Sequence, residues 1–355
     1  MSVLDRYVVR AILSAVALVM LVLLVLGALF VFIDQQDDVG TGRYTEFGAF
    51  LYTLLNLPQL AYEVLPITAL IGALLGLGAL ARGSEITVIR ATGVSIARLA
   101  GITLLAGLLL ILFAVLLGEF LAPPLQQAAR ASKAFSKLTN VSFESGSGAW
   151  VRDGNLILNV AGQSSKRQFG SMQIFELSPD HELLAMGHAR RAVSGPRGKW
   201  LLSDYTESRF SDDDVKTRPP GQRILESNVS AGFLGLAVED PKQLTGRSLW
   251  RLIGYFRSNG LDAHEYVFAF WSRIARTVAV AFSVLLAIPF VLGSLRSAGA
   301  GARMLMGLLL GLGFFVLQRL IESSTVVFSL NPVVLAWLPT TLLAVVTVAL
   351  LARAR

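Results

Sequence analysis

Three long apolar runs, one mostly polar stretch and three more apolar runs succeed one another along this chain, and that order restricts its fold more than any motif does. The hydrocarbon core of a bilayer is about 30 Å thick and a helix rises about 1.5 Å per residue, so a crossing helix needs about 20 apolar residues. Residues 11–33, 57–81, 99–121, 268–292, 304–322 and 332–352 meet or approach that length. Lipid offers no partners to backbone N–H and C=O groups, so such runs cross as helices that satisfy their own. The pattern predicts a polytopic α-helical membrane protein with six transmembrane helices and one folded insert. Its parts are a first transmembrane triplet over 1–121, an insert over 122–265 and a second triplet over 266–355.

Composition narrows the function classes. Only 15% of the 355 residues are charged and 54% are hydrophobic, against about 25% charged in soluble proteins. The formal charge of +7 raises nucleic acid as a partner. No basic stretch is interleaved with stacking aromatics, however, so none is expected. Arginine in cytoplasmic loops accounts for the excess instead. The chain has no cysteine, which excludes disulfides, Cys-ligated zinc and thiol catalysis. His181, His188 and His264 lie apart without metal-ligand spacing, so no metal site is expected. The first apolar run is long enough to span and lacks a small-residue cleavage pattern, which reads as an anchor rather than a removable signal.

Basic loops mark the cytoplasmic side of a membrane protein. Arg6 and Arg10 precede the first run; Arg82, Arg90 and Arg98 lie between the second and third. Arg296 and Arg303 lie between the fourth and fifth, and Arg353 and Arg355 close the chain. Asp34, Asp37 and Asp38 follow the first run, and the loop between the fifth and sixth carries no charge. These loops agree on a multi-pass protein of the cytoplasmic membrane, with both termini and the 82–98 loop inside and the insert outside.

Within the insert the pattern changes to short alternating segments at 156–160, 172–177, 182–193, 199–210 and 222–230. Asp153-Gly154-Asn155, Ser178-Pro179-Asp180, Gly195-Pro196-Arg197-Gly198 and Pro219-Pro220-Gly221 punctuate them. Strands at short spacing between turn residues predict an all-β sandwich or jellyroll. Helical stretches flank it: 122–138 continues from the third run, and 247–266 leads into the fourth.

The 82–98 loop carries a short amphipathic helix. Ser84 stands where an N-cap is wanted, and Glu85 favours the first turn. Ile86, Ile89 and Arg90 share one face, and Gly93 is a natural stop. Two readings remain for this helix: docking to a partner ATPase, or lying in the membrane interface. Arg130, Lys133 and Lys137 stand at i, i+3 and i+7 on the helix leaving the third run, which puts three cations on one face. They suit the phosphates of an anionic lipid headgroup or a solvated surface equally well in type. Arg273 and Arg276 at the outer end of the fourth run invite the same reading, with snorkelling to the interface as the alternative. Arg319 and Glu322 lie one turn apart near the outer end of the fifth run, as an internal ion pair or a functional charge. Gly72 and Gly76, like Gly307 and Gly311, are spaced by four and let helix backbones approach closely, within the chain or against a partner helix. No phosphate-binding G-x-x-x-x-G-K-[ST] loop, H-E-x-x-H or G-x-S-x-G motif is present, so any energy for work comes from a partner.

Several segments are similar to one known family. They are Leu4-Asp5-Arg6-Tyr7, Phe32-Ile33-Asp34-Gln35, Tyr52-Thr53-Leu54-Leu55 and Ala73-Leu74-Leu75-Gly76-Leu77-Gly78, then Ser84-Glu85, Ala91-Thr92-Gly93, Gly118-Glu119 and Ala122-Pro123. Phe270-Trp271-Ser272-Arg273, Gly293-Ser294-Leu295-Arg296-Ser297 and Leu338-Pro339 complete them. With all six runs in order and the insert in place, the chain resembles the LptF/LptG permease family of the lipopolysaccharide export system, most of all its LptG members. The resemblance implies a periplasmic β-jellyroll insert and a place in the inner membrane of a Gram-negative cell, serving outer-membrane biogenesis. It implies pairing with LptF, two copies of the ATPase LptB, association with LptC, and delivery of lipopolysaccharide to the bridge protein LptA. ATP and Mg would be bound by LptB, with no cofactor in this chain. Glu85 would fall on the coupling helix that meets LptB, and Arg130, Lys133 and Arg273 where family members offer cations to lipid A or core phosphates. One departure stands out. Some relatives carry lysines around the outer end of span one, where this chain has Phe30, Val31 and Phe32 followed by Asp37 and Asp38. That moves the expected phosphate contacts to the cations after span three.

Other classes stay open on the residues alone. A permease for another lipid cargo, such as lipoprotein, usually has four spans with the large insert after the first. A structural or assembly membrane protein needs no coupling helix. A lipid-modifying membrane enzyme needs a paired acid–base constellation, and none is present in one predicted site.

Overall fold

The computed structural model describes residues 3–40, 44–137, 149–153, 155–160, 163–165, 168–178, 182–194, 199–211, 214–226, 241, 244–292, 300–324 and 331–353. The chain divides into two compact units. One is helical and takes in Met1–Asp37, Ala49–Gln127 and Ala263–Arg355; the other takes in Asp38–Gly48 and Ala128–Asp262 and contains the sheet.

Each apolar run of the sequence lies on a helix. They are α1 (Val3–Asp34), α2 (Glu46–Arg82), α4 (Ile96–Val115), α7 (His264–Leu292), α8 (Ala300–Ser324) and α9 (Pro332–Arg353), with α3 (Glu85–Ala91) between α2 and α4. Among the described residues five helices are long and apolar enough to cross a membrane; on α8 the apolar stretch Leu305–Ile321 is shorter. Beyond α4 one turn is π-helical, Leu116–Leu121, before α5 (Ala122–Lys137) resumes the regular pitch. Pro123 and Pro124 lack the N–H groups that would bond the carbonyls four residues back, so regular bonding fails there.

Within the helical unit α2 is the most buried of the candidate spans, and small residues let its neighbours in. A Cβ on Gly72 would stand 2.5 Å from the Cα of Val16, and one on Gly76 would stand 2.7 Å from the carbonyl oxygen of Ala11. These are backbone contacts with α1, which cannot yield. A Cβ on Gly307 would meet Leu74 at 2.8 Å, and one on Gly311 would meet Ile67 at 2.9 Å, so α8 also packs on α2. The four-residue glycine pairs therefore serve packing inside this chain. Helix α9 lies along α7, where Thr340 Oγ1 donates to the carbonyl of Ala275 at 3.0 Å. The outward faces of α1 and α8 stay apolar and exposed, with Leu18, Leu21, Val25 and Phe30 on one and Leu305, Leu309 and Leu312 on the other.

Among its described residues the other unit holds an antiparallel eight-stranded sheet. Its strands are β1 (Ala149–Asp153), β2 (Leu156–Val160), β3 (Gln163–Ser165), β4 (Gln168–Phe169), β5 (Met172–Leu177), β6 (Leu183–Ser194), β7 (Lys199–Ser211) and β8 (Asp214–Glu226). The order runs β1-β2-β5-β6-β7-β8, and the short β3-β4 hairpin pairs with the far end of β6. Leu158, Val160, Phe169, Met172, Ile174, Trp200 and Leu202 form the core on one face. Asp204 has φ of 53°, and the β7–β8 register shifts beside it. The extra residue changes the alternation, so Tyr205 and Glu207 are buried where even-numbered Trp200 and Leu202 were before. The ring of Tyr205 lies over Gly187 of β6, where a Cβ would stand 2.1 Å from the phenol oxygen.

Three local expectations need correction. Pro219, Pro220 and Gly221 lie inside β8 rather than in a turn. That strand is paired on one side only, and an edge position tolerates the missing N–H. The stretch 247–266 is not one helix. Helix α6 (Gly246–Ser258), capped by the Thr245 hydroxyl, ends at Asn259, and Gly260 at φ 67° turns the chain before α7. Ser84 occupies the N-cap position of α3 but is left-handed, φ 58°, and its side chain caps nothing. Capping needs an extended backbone, as at Ser95, which has ψ 158° and accepts from the N–H of Arg98.

Candidate functional site

The 82–98 loop is built by two tight stops. Helix α2 ends at Arg82, Gly83 and Ser84 turn the chain, and α3 runs seven residues before Gly93 at φ +90° ends it. Ile86 is buried in the core shared with Leu80 and Leu99, a burial that contributes about 2 kcal/mol to holding α3 in place. Ile89 is half-buried, while Arg90 and Val88 face outward. Ile86 is thus the anchor of α3, and its exposed surface consists of Thr87, Val88, Arg90 and Ala91. Two clefts flank Arg90, one lined by Ala81, Ile86, Thr87, Val291 and Leu292, the other by Ser95, Ile96, Ala97, Val348 and Leu351. The first turns of α1 also reach this place. Tyr7 Oη donates to Glu85 Oε2 at 2.7 Å, and Arg98 Nη2 donates to Asp5 Oδ1 at 3.4 Å. The start of α1, the end of α9 and the loop therefore lie at one end of the helical unit.

Arg273 is 10% exposed and fully engaged by neighbouring helices. Its Nη2 lies 3.0 Å from Glu119 Oε1 and donates to the carbonyl of Gly118 at 2.5 Å, while Nε donates to Glu119 at 3.1 Å. Its guanidinium also stacks 5.4 Å over the ring of Tyr62 of α2. Gly118 leaves the room, since a Cβ there would stand 2.9 Å from that ring. Tyr62, Glu119, Arg273 and Thr277 line a mostly apolar cleft of about 210 Å³. Arg276 lies 5.9 Å over the same Tyr62 ring, and its Nε and Nη2 reach the amide oxygen of Gln318 of α8 at 2.7 and 2.6 Å once that amide faces its donors. Arg319 is exposed on α8; the side chain of Glu322 lies outside the described residues, and so does the loop carrying Arg296.

In the sheet-containing unit, Arg130 is half-buried on α5. Lys133 lies one turn on, with Nζ 2.5 Å from Asp38 Oδ2 and 5.8 Å over the ring of Tyr44. The side chain of Lys137 lies outside the described residues. The aspartate that follows span one thus meets a cation that follows span three. The sheet has its own charge cluster. Buried Glu207 accepts from Arg223 and has Arg218 at 3.8 Å and Arg209 at 3.9 Å. Arg223 also donates to the phenol of Tyr205 at 2.9 Å. Burial pushes that phenol above its usual range, against the lowering pull of Arg223.

Sequence reasoning found Glu85 and Arg273 but not Tyr7, Asp5, Tyr62 or Glu207. The partners stand far apart in the chain, 78 residues for Tyr7 and Glu85 and 154 for Glu119 and Arg273. No local period marks such pairs; the only available signal was that Asp5 and Tyr7 belong to the Leu4-Asp5-Arg6-Tyr7 segment.

A family model described as lipopolysaccharide export system permease LptF/LptG matches residues 6–353. The chain belongs to this family. It is similar to the lipopolysaccharide export system permease protein LptG of Escherichia coli (strain K12), 31% identical over 357 residues, covering 99% of this chain and 98% of that protein. It is also similar to LptG of Haemophilus influenzae, 29% identical over 355 residues, covering 100% of this chain and 99% of that protein. For an LptF/LptG permease, a unit of long apolar helices with an inserted antiparallel sheet is a transport architecture. The family's work is lipopolysaccharide export as part of an ABC transporter, not catalysis by this chain.

Proposed function

We propose that this chain is the LptG-type half of a permease that extracts lipopolysaccharide from the outer leaflet of the inner membrane. It pairs with LptF, stands over two LptB ATPases that bind ATP and Mg, associates with LptC and passes its cargo to LptA. All six helices α1, α2, α4, α7, α8 and α9 span, both termini are cytoplasmic, and the sheet is the wall of a periplasmic jellyroll. The observation that carries this reading is the family match over residues 6–353, which takes in both helical triplets and the insert.

The geometry supports specific roles. Helix α3 is the coupling helix, with Glu85, Ile89 and Arg90 available to the ATPase, Ile86 anchoring it and Gly93 ending it. The exposed apolar faces of α1 and α8 line a lateral gate and a cavity shared with the partner permease, where they hold acyl tails. Arg130, Lys133, Lys137 and Arg319 meet the phosphates, and Lys133 exchanges the Asp38 carboxylate for a phosphate oxygen. Arg273 and Arg276, engaged with Glu119, Tyr62 and Gln318, support the rim that the phosphates approach. ATP-driven closure of the ATPase dimer pushes α3 and narrows the cavity. A ligand that binds the wide state better than the narrow one is then expelled.

Native mass spectrometry of the chain, purified from its own membranes in mild detergent, tests the reading. A particle with a second permease, two ATPase copies and bound lipopolysaccharide is expected. A lone chain, or a homodimer carrying only ordinary phospholipid, sinks it.

A further inference from the structure

We propose that Tyr7 and Asp5, in the first two turns of α1, are positioning residues that tie the coupling helix to span one, so that a push on α3 is delivered directly to α1. This rests on the reading of α3 as the coupling helix.

The 82–98 loop touches α1 at two places. Glu85, the first residue of α3, accepts the Tyr7 hydroxyl at 2.7 Å, and Arg98, in the first turn of α4, donates to Asp5 at 3.4 Å. Asp5 and Tyr7 are two residues apart, which places them about 200° apart around a helix. They reach to opposite sides, so the start of α1 sits between the start of α3 and the start of α4. The backbone behind them is fixed, because Val8, Val9 and Ile12 are buried in the core of the unit. Further along, α1 meets α2 backbone to side at Gly72 and Gly76.

The bonds have a useful asymmetry. Both involve an ionised group, which makes them stronger than neutral hydrogen bonds. Yet Tyr7 is 49% exposed and the Arg98 side chain 58% exposed, so each bond is made and broken in contact with water. A link of this kind holds a helix in register and still leaves Glu85 open to a partner. Tyr7 takes Glu85 Oε2 and leaves Oε1 for an ATPase cation, so the link to α1 persists while the ATPase pushes on α3.

Two substitutions separate this role from a bare ATPase contact. Tyr7→Phe keeps the ring and removes the hydroxyl. Glu85→Gln keeps an oxygen that accepts from Tyr7 but removes the charge that an ATPase cation would need. The chain has no cysteine, so spin labels placed on Val3→Cys and Val88→Cys, both exposed positions, report the α1–α3 distance with no other labelled site in this chain. The measurement uses the whole permease–ATPase assembly in nanodiscs. Tyr7→Phe is expected to broaden that distance distribution and to lower lipopolysaccharide extracted per ATP hydrolysed by about twofold, the small weight of a water-exposed bond. Glu85→Gln is expected to keep the narrow distribution. An unchanged distribution in Tyr7→Phe, or unchanged extraction per ATP, overturns the proposal. Failure of the wild-type assembly to form or to extract at all overturns the transporter reading instead, and the distance measurement on the chain alone still decides the link.

Discussion

The two ends of the helical unit hold their charges in opposite ways. At one, Arg273 is enclosed by Glu119, Gly118 and Tyr62 and is 10% exposed. At the other, Tyr7 meets Glu85 and Asp5 meets Arg98 through groups that keep water on one side. An ion pair taken out of water is costly to break, because the survivor is left charged and alone. An exposed pair exchanges with water for little. The first end is a fixed joint between α2, the π-helical turn after α4, and α7; the second is a joint that a partner can load. That contrast is what a transporter driven from outside the chain needs: a rigid lever with one yielding end.

The largest effect that would break this contrast is at the fixed end. Arg273→Ala removes the ion pair to Glu119, the bond to the Gly118 carbonyl and the stacking on Tyr62 together, and is expected to destabilise the unit by about 3 kcal/mol, read as a lower melting temperature in detergent. Combining it with Glu119→Ala should recover part of the loss; if the double variant is worse than either single one, the pair is not coupled as drawn. Next comes the seam that carries motion along α1. Gly72→Ala drives a Cβ to within 2.5 Å of Val16 backbone, and overpacking of this sort costs about 1–3 kcal/mol. Gly311→Ala meets side-chain rather than backbone atoms, with Ile67 Cγ2 at 2.9 Å, so its melting shift should be smaller, and equal shifts would mean α1 and α8 pack alike. Smallest is Lys133→Ala; Lys133 is 21% and its partner Asp38 29% exposed, so water still reaches the pair, and the change should cost about 1 kcal/mol of stability. Lipopolysaccharide stimulation of the ATPase should nevertheless fall in the Arg130→Ala, Lys133→Ala double variant, and unchanged stimulation returns both cations to a solvated face.

Much of the fold was legible because burial in lipid and burial in a sheet both leave periods in a sequence. Runs near 20 apolar residues could only be helices, and 156–160 and 172–177 alternate as strands that the structure reproduces residue for residue. Local chemistry was read less well. Ser84 has the right side chain for a cap and the wrong backbone, since the turn after Arg82 is too tight for an extended residue. Pro219 and Pro220 signal a turn in isolation, but an edge strand has no use for their missing donors. Of the candidate phosphate ligands, all were visible as cations, yet nothing local distinguished Arg273, locked between helices, from Arg319, exposed on α8.

What the sequence by itself determined was the class of protein: apolar runs of spanning length, an insert of another period, and segments that place the chain in its family. Those features are local, and each element carries its own signal. Tertiary structure alone decided what each charge is for. Whether Glu85 faces Tyr7, Arg273 faces Glu119 or Lys133 faces Asp38 depends on helices brought together from distant parts of the chain. The energy of a charge is set by what surrounds it rather than by what precedes it.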